Sequence, residues 1–188
     1  MMNRREALQI LGTGIVAMSS EAVGQSGRPA PVDEPITRRI PSSGELLPVI
    51  GLGTWQTFDV AEGAAGRQPL VEVLKAFALL GGTVVDSSPM YGRSENVVGD
   101  IMQNESLRSK LFVATKVWTT GKQAGITQMN DSLRKLRVSR VDLMQVHNLQ
   151  DVDTHLGTLN DWKRDGKVRH IGVTHYTASS HDEVARVV

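Results

Sequence analysis

Thr83-Val84-Val85-Asp86-Ser87-Ser88-Pro89-Met90-Tyr91-Gly92-Arg93-Ser94-Glu95 is the stretch from which the rest of the chain can be read. Its first residues form a short β-branched apolar run that delivers Asp86 at its end, which predicts a buried strand. Pro89 and Gly92 mark a turn. Ser94 is expected to cap the helix that follows, with Glu95 in its first turn, where a carboxylate complements the free N–H groups. Tyr91 falls in the loop above the strand. A carboxylate and a phenol at the C-terminal end of a buried parallel strand stand where α/β proteins carry their chemistry.

Outward from this stretch the chain alternates. On the N-terminal side, Thr37 to Pro41 and Glu45 to Pro48 flank Ser42-Ser43-Gly44 and predict a small hairpin. Val49-Ile50-Gly51-Leu52-Gly53-Thr54-Trp55 reads as a first strand, and Pro69 as the opening of a helix that Gly81-Gly82 stops. On the C-terminal side, Leu111–Trp118, Val141–His147 and Val168–Thr174 are apolar runs of strand length, and the segments between them carry helical spacing. Gly166 is the expected left-handed residue after the fourth helix, and Ala178 to Val188 begins a fifth. Gln56 stands where the third glycine of a G-x-G-x-x-G loop would be, so the Rossmann fingerprint is rejected at Gly51-Leu52-Gly53. Strand-helix alternation with short links requires a parallel sheet. Five units fit an open doubly wound sheet or part of a (β/α)8 barrel, a complete copy of which needs about 250 residues.

Composition narrows the function classes. The 188 residues carry a net charge of +1 and 22% charged side chains, which gives no footprint for nucleic acid or an acidic membrane surface. There are 0 cysteines, so disulfides, thiolate catalysis and cysteine-based zinc sites are excluded. At the start, Arg4-Arg5 precede a modest apolar run, Leu8 to Met18, and then small residues around Ala22-Val23-Gly24. That order resembles a twin-arginine export signal, and predicts a signal peptide over 1–24, a Pro/Gly/Ser-rich linker over 25–36 and a folded region over 37–188. The expected location is periplasmic or exported, with a cytoplasmic location as the alternative, and no stable membrane span is expected once the signal is removed.

In a parallel sheet the strand C-termini lie on one side. This rim gathers Gly53, Thr54 and Trp55; Asp86 with Tyr91; Lys116 with Trp118; His147 with Asn148; and Thr174 with His175. Each has a bland reading taken singly, as a cap, a solvated lysine, a satisfied histidine or packing. Together they make a coherent acid. A phenol loses its proton near pH 10 in water. Lys116 beside Tyr91 is expected to favour the phenolate and lower that value, with Asp86 keeping the lysine charged and His147 hydrogen-bonding a substrate oxygen. Such a group can protonate an oxygen on which negative charge develops, as hydride delivery to a carbonyl requires, and the hydride must come from a cofactor.

The chain resembles the aldo/keto reductases through Gly51-Leu52-Gly53-Thr54-Trp55, Asp86-Ser87-Ser88-Pro89-Met90-Tyr91-Gly92, Ala114-Thr115-Lys116-Val117, Asp142-Leu143-Met144-Gln145-Val146-His147-Asn148 and Gly166-Lys167-Val168-Arg169-His170-Ile171-Gly172-Val173. The resemblance implies a parallel (β/α)8 TIM-barrel type fold, truncated after about five βα units, with the hairpin as a bottom lid. It implies NADPH-dependent reduction of an aldehyde or ketone to an alcohol. Tyr91 would be the general acid, tuned by Lys116 and Asp86, with His147 orienting the carbonyl. Gly53, Thr54, Trp55, Asp86, Thr174 and His175 would bind the cofactor, with Trp55, Trp118 and His147 at the substrate. Thr174-His175 stand where the family usually carries Ser-Asn for the nicotinamide carboxamide. The family's last three units, with its adenosine phosphate clamp, have no counterpart in the chain. The alternatives are an inactive fragment, self-associating through exposed barrel edges, or a non-catalytic binding protein on the same fold. A metal-dependent hydrolase is disfavoured, because His155 and His181 read as helix or loop positions and no His-x-His pair ends the first strand.

Overall fold

The computed structural model describes residues 34–188. The expected signal segment and most of the expected linker lie outside the described residues. A hairpin comes first, β1 (Thr37–Arg39) antiparallel to β2 (Leu46–Pro48). Then β3 (Leu52–Gly53), β4 (Val84–Asp86), β5 (Phe112–Val117), β6 (Val141–His147) and β7 (Val168–Thr174) form one parallel sheet in chain order. The connections are α1 (Ala64–Leu79), α2 (Ser94–Asn104), α3 (Lys122–Lys135) and α4 (Val152–Arg164), and α5 (His181–Val187) follows β7. A doubly wound sheet reverses its strand order at a switch point. This one never does, so its right-handed crossovers stack the helices on one face, which is the (β/α)8-barrel pattern.

The strands form where apolar runs are covered on both sides. All six residues of β5 are buried, as expected of a central parallel strand. Val85, Val113, Val117, Met144 and Val146 on the helix-facing side meet Leu74, Val97, Val98, Ile101, Met129, Leu133, Leu159 and Trp162 in one core. At the opposite end from the rim, Glu45 beside the hairpin pairs with Arg169 at 2.6 Å and lies 3.2 Å from His170, while Arg169 also holds Asp142 at 2.7 Å. Those ties fix the hairpin against the start of β7. They also hold the Glu45 carboxyl below its ordinary range, chiefly through the Arg169 hydrogen bond.

Local expectations failed at three places. Only Leu52–Gly53 of the first strand is paired, because β3 lies at the sheet edge beside a three-residue strand and Ile50 is exposed. The first helix begins at Ala64 and keeps Pro69 inside it. A proline near the start forfeits one hydrogen bond, and the extra turn is anchored by an ion pair from Arg67 to Asp100 of α2. Ser94 is the first helical residue rather than the cap, and its hydroxyl donates to the Thr54 carbonyl at 3.2 Å.

Helix ends follow one device. After α1, Gly81 at φ 84° lets its N–H reach Ala78 and the Gly82 N–H reach Phe77; after α4, Gly166 at φ 74° does the same toward Lys163 and Trp162. The chain repeats the geometry after α2 and α3 without glycine, using Ser106 at φ 54° and Arg137 at φ 55°.

Two glycines in helices test the packing. A Cβ on Gly99 would lie 2.2 Å from the Lys135 carbonyl oxygen, so α2 and α3 touch backbone to backbone there, whereas a Cβ on Gly157 meets nothing within 4 Å. Gly99→Ala should cost about 3 kcal/mol, and Gly157→Ala should gain about 0.5–1 kcal/mol through the unfolded chain. Urea unfolding of both variants checks this, and equal effects would show that the helix contact is misplaced.

Candidate active site

Side chains alternate along a strand, so residues two apart share a face. The register sets Asp86 opposite Ala114, Lys116 opposite Gln145, and His147 opposite Thr174. Asp86, Lys116, Gln145, His147 and Thr174 therefore share the face turned away from the helices, stepping across four neighbouring strands at their C-terminal ends. Tyr91 joins them from the loop after β4.

Lys116 Nζ lies 2.5 Å from Asp86 Oδ2 and donates to the Ser87 carbonyl at 2.7 Å. Its charge also sits 5.0 Å from the centre of the Tyr91 ring. Gln145 Nε2 donates to the other Asp86 oxygen at 3.2 Å. The Tyr91 and His147 rings meet edge to face, 6.4 Å apart and 85° inclined. Behind the cluster, Thr115 donates to the fully buried Glu95 at 2.7 Å and so ties β5 to α2. Burial pushes the Glu95 carboxyl above its ordinary range, against the hydrogen bond from Thr115.

The electrostatics depart from expectation at Tyr91. Its hydroxyl is pushed above 10.0, first by burial and then by the Asp86 carboxylate, and not lowered by Lys116. The reason is geometric: the ammonium is already held by Asp86 and the Ser87 carbonyl. Burial also pulls Lys116 down, opposed by Asp86. His147 is lowered by burial and then by the Lys116 charge, so its ring is neutral at pH 7.

The cluster opens on a cleft of about 430 Å³ lined by Trp55, Met90, Tyr91, Trp118, His147, Asn148 and Tyr176. Trp55 and Trp118 are both exposed walls of it. His147 Nδ1 and Asn148 Oδ1 are buried without a partner among the described residues. Gly53 is open, since a Cβ there would meet nothing within 4 Å. Thr54 is wholly buried, and its hydroxyl lies 3.1 Å from the Asp86 carbonyl oxygen and 3.0 Å from the Ser87 hydroxyl. Thr174 ends β7 beside His147. His175 Nδ1 accepts the Thr177 backbone N–H at 3.2 Å, which leaves the ring proton on Nε2 as a donor.

Sequence reasoning missed Gln145, Ser87, Met90 and Tyr176. Gln145 left a usable signal: it is a polar residue two before His147 in an otherwise apolar strand, hence on the same face. Tyr176 left none, because its place depends on the path of the chain after β7. Among the described residues no group of three or more His, Asp and Glu side chains is placed to hold a metal, and no helix is long and apolar enough to cross a membrane.

The fold and the rim cluster define a barrel-type α/β protein with a cluster of titratable side chains over its strand ends. Residues 49–187 match the Aldo/keto reductase family, and the chain belongs to it. It is 32% identical over 154 residues to the methylglyoxal reductase YeaE of Escherichia coli, covering 78% of this chain and 52% of that protein. It is 27% identical to the aldo-keto reductase YhdN of Bacillus subtilis, over 71% of this chain and 45% of that one. An aldo-keto reductase from Klebsiella pneumoniae, crystallised with NADPH, superposes with a TM-score of 0.64 at 27% identity, covering 81% of this chain and 55% of that one. The chain thus spans about half the length of the relatives it matches.

The raised Tyr91 can be read directly. The chain has 2 tyrosines, so Tyr176→Phe leaves Tyr91 alone. Its phenolate absorbance should then appear above pH 10.0, and adding Asp86→Asn should bring the midpoint down. The sign follows from burial of the neutral phenol: its contribution to stability is present below the unfolded value and is lost as pH rises through the folded one. A midpoint at or below 10.0 in the single-tyrosine chain would refute the assigned environment.

Proposed function

We propose that this chain carries the acid-base part of an NADP(H)-dependent carbonyl reductase that converts an aldehyde or ketone to an alcohol, with Tyr91 as proton donor. The observation that carries the reading is the meeting of Asp86, Tyr91, Lys116 and His147 in one cluster, of which Tyr91 and His147 line an aromatic-walled cleft. Membership of the family supports it, as do a relative named methylglyoxal reductase and a structural neighbour crystallised with NADPH.

The residues present fit the nicotinamide end of such a cofactor. Open Gly53 lets a flat ring approach the backbone, half-exposed Asp86 offers an acceptor, and Thr174 with the Nε2–H of His175 can meet a carboxamide. When bound, NADPH supplies a hydride. The chain's own groups manage the proton. Neutral His147 hydrogen-bonds the carbonyl oxygen. Tyr91, kept protonated by burial, gives its hydroxyl proton to that oxygen only as negative charge grows there. Lys116, held by Asp86, faces the phenolate that remains. Trp55, Met90, Trp118 and Tyr176 present an apolar surface to the rest of the substrate.

Residues 1–24 are proposed as a twin-arginine-type signal, 25–36 as a linker, and 37–188 as the barrel portion, with export to the periplasm. This rests on the sequence order alone.

Tyr91→Phe should lower carbonyl turnover about 10³-fold while NADPH affinity stays within about twofold, since the phenol acts on the substrate oxygen. Undiminished aldehyde reduction by Tyr91→Phe would remove Tyr91 from the donor role. For export, replacing Arg4 and Arg5 together by lysine should hold the chain in the cytoplasm on cell fractionation. Unchanged export would refute the signal.

A further inference from the structure

Asp86, Lys116 and His147 stand on strands, where register fixes them. Tyr91 does not. It sits in the turn between β4 and α2, held locally by its N–H to the Ser88 carbonyl at 3.1 Å and by the Ser94 N–H to its own carbonyl at 3.0 Å. The next residue, Gly92, is at φ 57°, a conformation glycine enters and leaves at little cost. Two backbone bonds and a glycine do not by themselves define where a phenol points.

The loop after β3 meets this turn from the other side. Phe58 anchors that loop in the core, 1% exposed, with its N–H on the Thr54 carbonyl at 3.1 Å. Next to it, Asp59 Oδ1 accepts both the backbone N–H of Arg93 at 3.0 Å and its side-chain Nε at 3.1 Å. The same carboxylate packs on Gly92, where a Cβ would lie 2.3 Å from Asp59 Oδ2. A carboxylate at 59 and a glycine at 92 are therefore matched shapes.

We infer that Asp59 is a positioning residue for Tyr91: by clamping Gly92 and Arg93 it fixes the turn that aims the phenol into the cleft. This rests on Tyr91 being the proton donor. The Asp59 and Arg93 side chains are 41% and 52% exposed, and an ion pair that open to water contributes little to stability. What remains is direction. The bond to the Arg93 N–H is made two residues from Tyr91, and the loop that makes it also carries Trp55, a wall of the cleft. The backbone N–H and then the side chain of Arg93 hold the Asp59 carboxyl below its ordinary range, so the clamp is charged at neutral pH.

The test reads Tyr91 without substrate or nucleotide, in the Tyr176→Phe chain. Asp59→Ala should free the turn, hydrate the ring and lower the Tyr91 absorbance midpoint by about one unit. Asp59→Asn keeps an oxygen for the Arg93 N–H and should titrate with the parent. In chains with Tyr176 intact, Asp59→Ala should lower kcat for carbonyl reduction about tenfold with KM for NADPH unchanged. A merely structural role would lower the melting temperature and leave the midpoint where it was. A parental midpoint in folded Asp59→Ala overturns the inference. If circular dichroism shows Asp59→Ala unfolded, Gly92→Ala displaces the same carboxylate from the other side and is judged by the same criterion. Failure of the parent to reduce any carbonyl would count against the proposed reaction and leave the titration result standing.

Discussion

The ion pair between Lys116 and Asp86 is the constraint around which the rim is arranged. The lysine side chain is 4% exposed, and its partner lies 2.5 Å away. A lone ammonium at that depth is untenable, and the partly exposed Asp86 carboxylate is what keeps it charged. The surroundings are built to keep it. Thr54 is buried with its hydroxyl against the Asp86 carbonyl, the Ser87 carbonyl takes a second lysine proton, and Gln145 occupies the carboxylate's other oxygen. These partners come from β6 and from the residues just after β3 and β4, so the pair joins the sheet at its C-terminal edge much as the apolar core joins it beneath.

Burial acts on all three proton carriers in the same sense. It raises Tyr91 and lowers Lys116 and His147, favouring the neutral form each time. At Lys116, and to a lesser degree at His147, the Asp86 carboxylate opposes it. The site at rest therefore holds its proton on the phenol and presents an uncharged imidazole. On the proposed reading, Tyr91 gives up its proton only when negative charge grows on the substrate oxygen, beside a Lys116–Asp86 pair that is charged throughout.

Much of this was legible in the sequence because it depends on short periods. Apolar runs marked the strands, and one polar residue at the end of each marked the rim. Asp86, Lys116 and His147 fell on one face because strand parity and register agree. Gly81 and Gly166 were legible as helix ends, since glycine is the ordinary residue there; Ser106 and Arg137 were not, because tertiary packing overrides the conformational cost at both. Arg67 reaches Asp100 across 33 positions, and with that contact the helix runs back past Pro69. Thr54, Glu95 and Gln145 took their roles from partners on other strands and helices. The direction of the Tyr91 shift escaped for a related reason. Proximity to a lysine predicts a lowered phenol, but the lysine's hydrogen bonds go elsewhere, and only coordinates show that.

The division between strand-borne and loop-borne groups has a mechanical consequence. Lys116 and His147 inherit their positions from β5 and β6, whose paired backbones cannot shift without moving the core. Tyr91 must be aimed by contacts within and between loops, of which the Asp59–Arg93 pair is open to water and the Ser94–Thr54 bond and Phe58 are buried. Those contacts converge: Ser94 to the Thr54 carbonyl, Asp59 to Gly92 and Arg93, and Phe58 in the core beneath. Three modest ties with different directions leave a turn fewer ways to move than one strong tie would, because each restricts a different rotation. Tyr91 is thus held by geometry shared between two loops, while Asp86, Lys116 and His147 are held by the sheet.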